Sequence, residues 1–243
     1  MPEMLLLSNS TNHARGYLEH AWTVVEDFLE GVQEIVFIPF AGGDHAAYTS
    51  KVSEAFADRG IRMRGLPDGD EAQETLSAAE AVFTGGGNTF RLAATLHRWG
   101  LMGQLRHGVA SGRIRYMGAS AGTNIAAPTL KTTNDMPIVE PESFHALGLV
   151  PFQINPHYLD ADPTSTHNGE TRETRLREFL EENDTKVLGL REGTHLQVSG
   201  TKKDLRLVVG GQAVHPQAPG PAVIFQRGSE PQQVSGEVTA ELL

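Results

Sequence analysis

Short apolar runs alternate with longer amphipathic segments through the first half of the chain. Brief runs rich in Val, Ile, Leu and Phe are typical of buried strands, whereas apolar residues spaced three and four apart are typical of helices. The pattern predicts strands at 4–7, 34–39, 61–66, 81–84 and 114–117, and helices at 17–29, 46–58, 71–79, 89–99 and 102–110. This βαβα alternation predicts an α/β fold with a mainly parallel, doubly wound sheet and helices on both of its faces.

The second half of the chain has a different pattern. Residues 129–140 are polar and contain proline, which predicts a loop, and residues 169–182 form a strong helical pattern. Four short strands are predicted at 186–190, 194–198, 204–209 and 222–226, and their close turns favour antiparallel hairpins at one edge. Because no repeat or linker-like break interrupts the 243 residues, we expect a single domain spanning 1–243.

Three loops follow predicted strands of the parallel sheet, at 40–44, 85–88 and 118–122. Active sites of such sheets lie outside the carboxyl ends of the strands. We therefore expect these loops to meet at one edge and to form the functional site.

Composition narrows the classes of function. The net charge is −10, which argues against nonspecific binding of nucleic acid, and the chain contains no cysteine, which excludes disulfides and thiolate chemistry. No apolar run is long enough to span a membrane, and the apolar residues 4–7 lack the basic flank and length of a signal peptide. This composition is compatible with the cytoplasm without demanding it, and our prediction is a cytoplasmic enzyme without nucleic-acid or membrane partners.

The most informative motif is Gly-Ala-Ser-Ala-Gly at 118–122, between a predicted strand and a helix-compatible segment. A Gly-x-Ser-x-Gly at such a turn is typical of a nucleophile elbow, in which Ser120 is presented to a substrate. The alternative is an ordinary glycine-rich turn with Ser120 as a helix cap.

A serine nucleophile needs a base, usually a histidine that a carboxylate orients. His157 is the best candidate because it follows an apolar run and a proline and begins a long loop, although a surface loop histidine would show the same pattern. Glu192, after a predicted strand, and Asp135, in a polar loop, are rival candidates for the carboxylate. Both also fit ordinary turn positions.

An oxyanion intermediate would need backbone amide donors. Ala121, directly after the serine, is one candidate, and Gly87 or Asn88 in the glycine-rich loop is the other. That loop lacks the spacing of dinucleotide-binding and P-loop motifs, which argues against a bound nucleotide. The chain also lacks the His-Glu-x-x-His and His-x-His patterns of metal sites, so we predict no metal.

Several segments together resemble peptidase E, the α-aspartyl dipeptidase family of serine peptidases. These are LLLSNS at 5–10, FIPFAG at 37–42, GGGNTF at 85–90, GASAG at 118–122, TTNDMPIV at 132–139, QINPH at 153–157 and GETRE at 169–173. They occur in the family's order, and the resemblance runs from about residue 4 to about residue 200.

The resemblance implies a Ser-His-Glu triad of Ser120, His157 and Glu192, so it favours Glu192 over Asp135 as the orienting acid. It also implies a fold like that of class I glutamine amidotransferases and cleavage of Asp-X dipeptides without a metal or other cofactor. Arg172 is then a candidate to bind the aspartate side chain, since a guanidinium pairs bidentately with a carboxylate. Asp135 becomes a candidate to hold the substrate's ammonium group.

Two other functions remain open at this point. A related hydrolase would cut β-aspartyl bonds, as cyanophycinase-like relatives do, or longer peptides that begin with aspartate; a small-molecule binding protein without activity is the third hypothesis. The polar loop at 158–168 is expected to cover the site and to influence substrate length. The expected partner is a small peptide with N-terminal aspartate, and a homodimer is left open.

Overall fold

The computed structural model describes residues 2–161, 169–201 and 204–243. The strands are β1 (Glu3–Leu7), β2 (Ile35–Ile38), β3 (Met63–Gly65), β4 (Ala81–Thr84), β5 (Arg115–Ala119), β6 (Gln153–Tyr158), β7 (Val187–Arg191), β8 (Thr194–Thr201), β9 (Asp204–Gly211), β10 (Ala222–Phe225), β11 (Gln232–Val234) and β12 (Gly236–Glu237). The helices are α1 (Trp22–Phe28), α2 (His45–Ala57), α3 (Glu71–Ala78), α4 (Thr89–Arg98), α5 (Leu101–Ala110), α6 (Ala121–Asn124), α7 (Arg172–Glu182) and α8 (Thr239–Leu242).

The larger sheet has eight strands in the order β12-β9-β8-β1-β5-β4-β2-β3. The five strands from β1 to β3 in that order are parallel to one another, whereas β8 pairs antiparallel with β1, and β9 and β12 continue outward. The predicted α/β class with a mainly parallel sheet is therefore confirmed. The carboxyl ends of β1, β4 and β5 lie side by side, and the candidate site is built there.

Alternate residues of the central strands face opposite sides of the larger sheet, as the two-residue period of a strand requires. Leu5 and Phe37 belong to a buried cluster with residues of α1 and α2. Leu6 and Tyr116 belong to a second cluster, which includes residues of α3, α4 and α5. Helices thus cover both faces, and strands buried on both sides explain the uninterrupted apolar runs of the sequence.

A second sheet of four strands, in the order β11-β10-β7-β6, was not predicted. Strands β6 and β7 are parallel, and β10 pairs antiparallel with both β7 and β11. Ile154 of β6, Leu188 of β7 and Ile224 of β10 are part of the same buried cluster as Leu6 and Tyr116. The second sheet therefore packs onto one face of the larger sheet and shares its core.

The prediction that the late strands form hairpins at one edge is correct only for β8 and β9, which pair along their whole length beside β1. It is wrong for β7 and β10, which belong to the second sheet. All five residues of β7 and all four of β10 are buried. Periodicity identifies such strands but does not say which partner they pair with.

The predicted helix at 17–29 is also shorter in the structure, where α1 covers only Trp22–Phe28. Leu18 has a positive φ of 55°, a left-handed conformation that an α-helix cannot continue through. Its amide donates to the carbonyl of Ser10, so the segment before α1 folds back toward the end of β1. Leu18 is nevertheless fully buried, which accounts for its place in the apolar pattern.

The remaining predictions agree with the structure except at element ends. Residues 129–140 contain no helix or extended strand, only an isolated bridge from Thr129 to His145. Helix α7 begins at Arg172 rather than at 169. The side chain of Thr171 caps this helix by accepting a hydrogen bond from the amide of Thr174. Within the described ranges, no helix combines the length and apolar character needed to cross a membrane.

Candidate active site

Ser120 occupies a sharp turn between the end of β5 and the start of α6, with φ of 54° and ψ of −110°. The flanking glycines permit this turn: a Cβ on Gly118 would lie 2.5 Å from the carbonyl oxygen of Gly122, and one on Gly122 would overlap the carbonyl of Thr84. A strained serine presented between a strand and a helix is the geometry of a nucleophile elbow.

Ser120, His157 and Glu192 form one chain of hydrogen bonds. Nε2 of His157 lies 2.8 Å from Oγ of Ser120, and Nδ1 lies 2.7 Å from Oε1 of Glu192. The hydrogen bond from His157 lowers the pKa of Glu192, although partial burial acts in the opposite direction. Glu192 is therefore ionised at neutral pH and can stabilise a positive charge on the imidazole.

His157 lies within β6 rather than at the start of a loop as predicted. Pairing between β6 and β7 shifts here: Asn155 pairs with Gly189 and Tyr158 pairs with Arg191, so two residues of β6 oppose one residue of β7. This is a β-bulge, and His157 has a positive φ of 54° within it. The bulge redirects the imidazole toward Ser120, and apolar periodicity does not reveal it.

Glu192 lies in the short connection between β7 and β8, which belong to different sheets. The next residue, Gly193, has φ of 87°, and a Cβ there would overlap the carbonyl of Gln212. The turn therefore needs glycine, and it holds Glu192 where the second sheet meets the larger one.

The glycine-rich loop follows β4 and passes beside Ser120. A Cβ on Gly86 would lie 3.1 Å from Cβ of Ser120, and one on Gly87, where φ is 132°, would lie 2.5 Å from the carbonyl oxygen of Ala41. A side chain at Gly87 would therefore clash with the backbone of Ala41, and the loop backbone at Gly86 lies close to the nucleophile.

The amides of this region differ in their availability. The amide of Asn88 donates to the carbonyl of Ala41 at 3.0 Å, and its side chain caps α4 by accepting from the amide of Arg91. Among the described residues, no backbone carbonyl accepts from the amide of Gly87 or of Ala121. Of the two loop donors considered for an oxyanion, the structure therefore favours Gly87 over Asn88.

Asp135 lies at the start of α4 and does not contact His157. Its Oδ2 accepts from the amide of Thr89 at 2.7 Å, from the hydroxyl of Thr89 at 2.6 Å and from the hydroxyl of Thr133 at 3.2 Å. These contacts fix one carboxylate oxygen near the amino end of the helix, where negative charge is favoured. Of the two rival acids, Glu192 is the one that contacts the histidine.

A cleft of about 290 Å³ connects these groups. Arg172, the first residue of α7, lines the same cleft as the triad. Burial lowers the pKa of Arg172, and repulsion from Arg175 lowers it further by a smaller amount. Attraction by Asp135 opposes both effects. Arginine stays charged under these conditions, so the cleft contains the cation of Arg172 near the carboxylate of Asp135, in addition to the carboxylate of Glu192. The lining residues are Thr89, Ser120, Ala121, Thr133, Asn134, Asp135, Pro156, His157, Leu159, Arg172 and Glu192.

The expectation that the loop at 158–168 covers the site concerns residues that are only partly described, since 162–168 lie outside the described ranges. Within those ranges, no group of three or more His, Cys, Asp or Glu side chains is arranged to hold a metal ion.

Two polar residues at the end of β1 were missed as site residues. Ser8 and Asn9 are buried and contact the backbone of His157 and of Gly193 respectively. The available signal was two polar residues directly after an apolar strand, at the sheet edge where the functional loops were expected.

The model of peptidase family S51 matches residues 4–206 of the chain. Peptidase E of Streptomyces coelicolor is 56% identical over 241 residues, covering 99% of this chain and 94% of the relative. The chain belongs to peptidase family S51. This confirms the resemblance to peptidase E and the prediction that the protein is a peptidase.

Two further comparisons concern a second relative and the fold. A Drosophila melanogaster protein described as a probable alpha-aspartyl dipeptidase is 46% identical over 201 residues, covering 82% of this chain and 84% of the relative. The crystal structure of a peptidase from an acI-B1 actinobacterium matches with a TM-score of 0.62 at 18% identity, covering 97% of this chain and 94% of the other. At that identity the structural match shows a shared fold only.

Proposed function

We propose that this S51 peptidase hydrolyses dipeptides with N-terminal aspartate, using Ser120, His157 and Glu192 as a catalytic triad. The observation that carries the proposal is the hydrogen-bond chain from Ser120 through His157 to Glu192, which opens into a small cleft that also contains Arg172. The relative described as a probable alpha-aspartyl dipeptidase supports this substrate class.

In the first half of the reaction, Ser120 Oγ attacks the scissile carbonyl carbon while Nε2 of His157 takes the hydroxyl proton. The charge on the imidazole is stabilised by Glu192 through Nδ1–H. The amides of Ala121 and Gly87 donate to the oxyanion of the tetrahedral intermediate. Collapse of this intermediate passes the proton from His157 to the leaving amine and leaves an aspartyl ester on Ser120.

In the second half, water attacks the ester carbonyl while His157 takes a proton from it. The second tetrahedral intermediate returns the proton to Ser120 Oγ and releases aspartate. The amides of Ala121 and Gly87 serve both halves of the reaction, because the oxyanion forms each time on the oxygen of the same aspartyl carbonyl group.

The charges of the cleft fit an N-terminal aspartyl residue. Arg172 supplies a planar cation for the side-chain carboxylate, and Asp135 supplies an anion for the α-ammonium group. The volume of about 290 Å³ suits a short peptide rather than a folded chain.

Replacing Ser120 with alanine tests the chemistry. We expect Ser120→Ala to abolish turnover of Asp-Ala, and Glu192→Gln to lower kcat about a hundredfold or more, because the imidazolium loses its anionic partner. The exposed Ser111→Ala should leave kcat unchanged. Full activity of folded Ser120→Ala would disprove the triad.

A peptide panel tests the substrate class: Asp-Ala, β-Asp-Ala, Asn-Ala, Glu-Ala and Asp-Ala-Ala, each followed by the rate of amine release. We expect kcat/KM to be highest for Asp-Ala and much lower for Asn-Ala, which has the same shape without the charge. A preference for β-Asp-Ala or for the tripeptide would replace the proposed substrate with one of the alternative classes.

A further inference from the structure

The end of β1 contacts all three segments that carry the proposed triad. The carbonyl of Leu7 accepts from the amide of Ser120 at 3.2 Å and from the hydroxyl of Thr123 at 2.6 Å. Ser8 and Asn9, the next two residues, contact the segments of His157 and Glu192. These three residues, Leu7, Ser8 and Asn9, are called the β1 terminus below.

Ser8 bridges both strands at the bulge of His157. Its Oγ accepts from the amide of His157 at 2.9 Å and donates to the carbonyl of Leu190 at 2.9 Å. Leu190 lies between Gly189 and Arg191, the residues that pair on either side of the bulge. One fully buried hydroxyl therefore joins the bulged residue to the strand opposite it.

This bridge has an energetic reason. A left-handed conformation in a residue with a side chain is strained and persists only where the surroundings enforce it. A bulge also leaves a backbone group without its partner in the ladder. Ser8 supplies the missing acceptor for the amide of His157, so it stabilises the conformation in which the imidazole reaches Ser120.

Asn9 holds the turn that carries Glu192. Its Oδ1 accepts from the amide of Gly193 at 2.8 Å, while its Nδ2 donates to the carbonyl of Thr11 at 3.1 Å. The side chain is only 1% exposed and is thus fixed from both ends. The amide of Ser8 also donates to the carbonyl of Thr194, which lies just after this turn.

We propose that Ser8 and Asn9 are positioning residues for catalysis: Ser8 sets the orientation of His157, and Asn9 sets the position of Glu192. This inference rests on the proposed role of the triad. Neither side chain contacts the reacting atoms, so both act through the geometry of the base and the acid. Misplacement of a catalytic group by about 1 Å costs about a hundredfold in rate, which is the scale of the expected effect.

The test is a split between kcat and KM. Ser8→Ala should lower kcat for Asp-Ala at least about tenfold while KM changes less than about threefold, because the substrate-binding groups are untouched. Ser8→Thr, which keeps the hydroxyl, should restore most of kcat. Asn9→Ala should lower kcat in the same way, and both alanine variants should slow labelling of Ser120 by a fluorophosphonate.

Thr239→Ala is the matched control. Like Ser8, Thr239 has a hydroxyl that accepts a hydrogen bond from a backbone amide, here that of Leu207 at 2.9 Å. Leu207 pairs with Val198, which pairs with Met4 at the opposite end of β1 from Ser8. Loss of this hydrogen bond should lower the melting temperature but leave kcat within about twofold, since the lost contact is far from the triad.

Two outcomes separate this inference from the proposed function. If Ser120→Ala retains turnover, the triad itself is wrong. If Ser120→Ala is inactive while folded Ser8→Ala and Asn9→Ala keep kcat within twofold of the parent enzyme, the positioning role alone is overturned. Should Ser8→Ala not fold, Asn9→Ala decides the question in folded protein.

Discussion

At the scale of single residues, the proposed nucleophile and base share an unusual backbone conformation. Both Ser120 and His157 have φ of 54°, a region that residues with side chains rarely adopt. Each is held by surrounding contacts: the glycines of the elbow for Ser120, and the hydroxyl of Ser8 for His157. Strain of this kind is typical of active sites, where function depends on the orientation of a side chain.

Arg172 gives a residue-scale prediction about specificity. We expect Arg172→Met to lower kcat/KM for Asp-Ala about tenfold to a hundredfold, since a hydrogen-bonded charge pair contributes about 1.5–3 kcal/mol. Turnover of Asn-Ala should change far less, because it has no side-chain carboxylate. Steady-state kinetics with both peptides measures the difference.

Arg175 is the natural control for this prediction. It lies in the same helix, is exposed and pairs with Glu170 at 3.5 Å outside the cleft. Arg175→Met should leave kcat/KM unchanged for both Asp-Ala and Asn-Ala. If Arg172→Met lowers kcat/KM equally for Asp-Ala and Asn-Ala, Arg172 does not recognise the aspartate side chain.

At the scale of elements, the parallel pair of β6 and β7 carries the base and leads to the acid. Arg191 at the end of β7 is 3% exposed, and its guanidinium donates to both carboxylate oxygens of Asp160, which follows β6. It also donates to the carbonyl of Gly220 and stacks on the ring of Tyr158. This ion pair joins the ends of the two strands directly beside His157 and Glu192.

Removal of Asp160 should destabilise the protein because it leaves a buried guanidinium without its anion. We expect Asp160→Ala to lower the free energy of unfolding by about 2–4 kcal/mol, near the lower end of values for broken buried pairs because Asp160 is partly exposed. Urea denaturation measures the change.

Asp184→Ala is the comparison for this element-scale prediction. Asp184 pairs with Arg227 at 2.8 Å, but both side chains are exposed. Its loss should cost less than about 1 kcal/mol. If the two variants lose the same stability, the Arg191–Asp160 pair does not anchor these strands.

Much of the element pattern was predictable, and the failures have a common cause. Strands such as β2 and β4 and helices such as α2 and α5 follow local periodicity, and their predicted positions agree with the structure within a few residues. The pairing of β7 with β6 and β10, the bulge at His157 and the left-handed Leu18 depend on contacts between distant parts of the chain. Periodicity contains no information about such contacts.

At the scale of the whole molecule, the two sheets share one core. The cluster that contains Leu6 and Tyr116 of the larger sheet also contains Ile154, Leu190 and Ile224 of the second. His157 belongs to β6 of the second sheet, Glu192 lies in the connection between the two sheets, and Ser120 follows β5 of the larger one. The candidate site is therefore complete only when both sheets are packed together, and a single domain over 1–243 stays a prediction.

A shared core predicts a single cooperative unfolding transition. Trp22 packs on the face covered by α1 and α2, and Trp99 packs against the cluster on the other face. The variants Trp22→Phe and Trp99→Phe each keep one tryptophan. We expect the urea midpoint from tryptophan fluorescence of each variant to coincide with its midpoint from far-UV circular dichroism. Separate midpoints for the two probes would show that the faces unfold independently.

The sequence by itself determined the α/β class, the mainly parallel sheet and the elbow at Ser120, because each depends on residues that are close together in the chain. The resemblance to peptidase E favoured Glu192 over Asp135, but only the tertiary structure shows the contact of Glu192 with His157. Only the tertiary structure likewise shows that the amide of Asn88 is already engaged and that the β1 terminus contacts every segment of the triad. These contacts join residues separated by 35 to 184 positions. Their partners are chosen by the packing of two sheets, which no local pattern encodes.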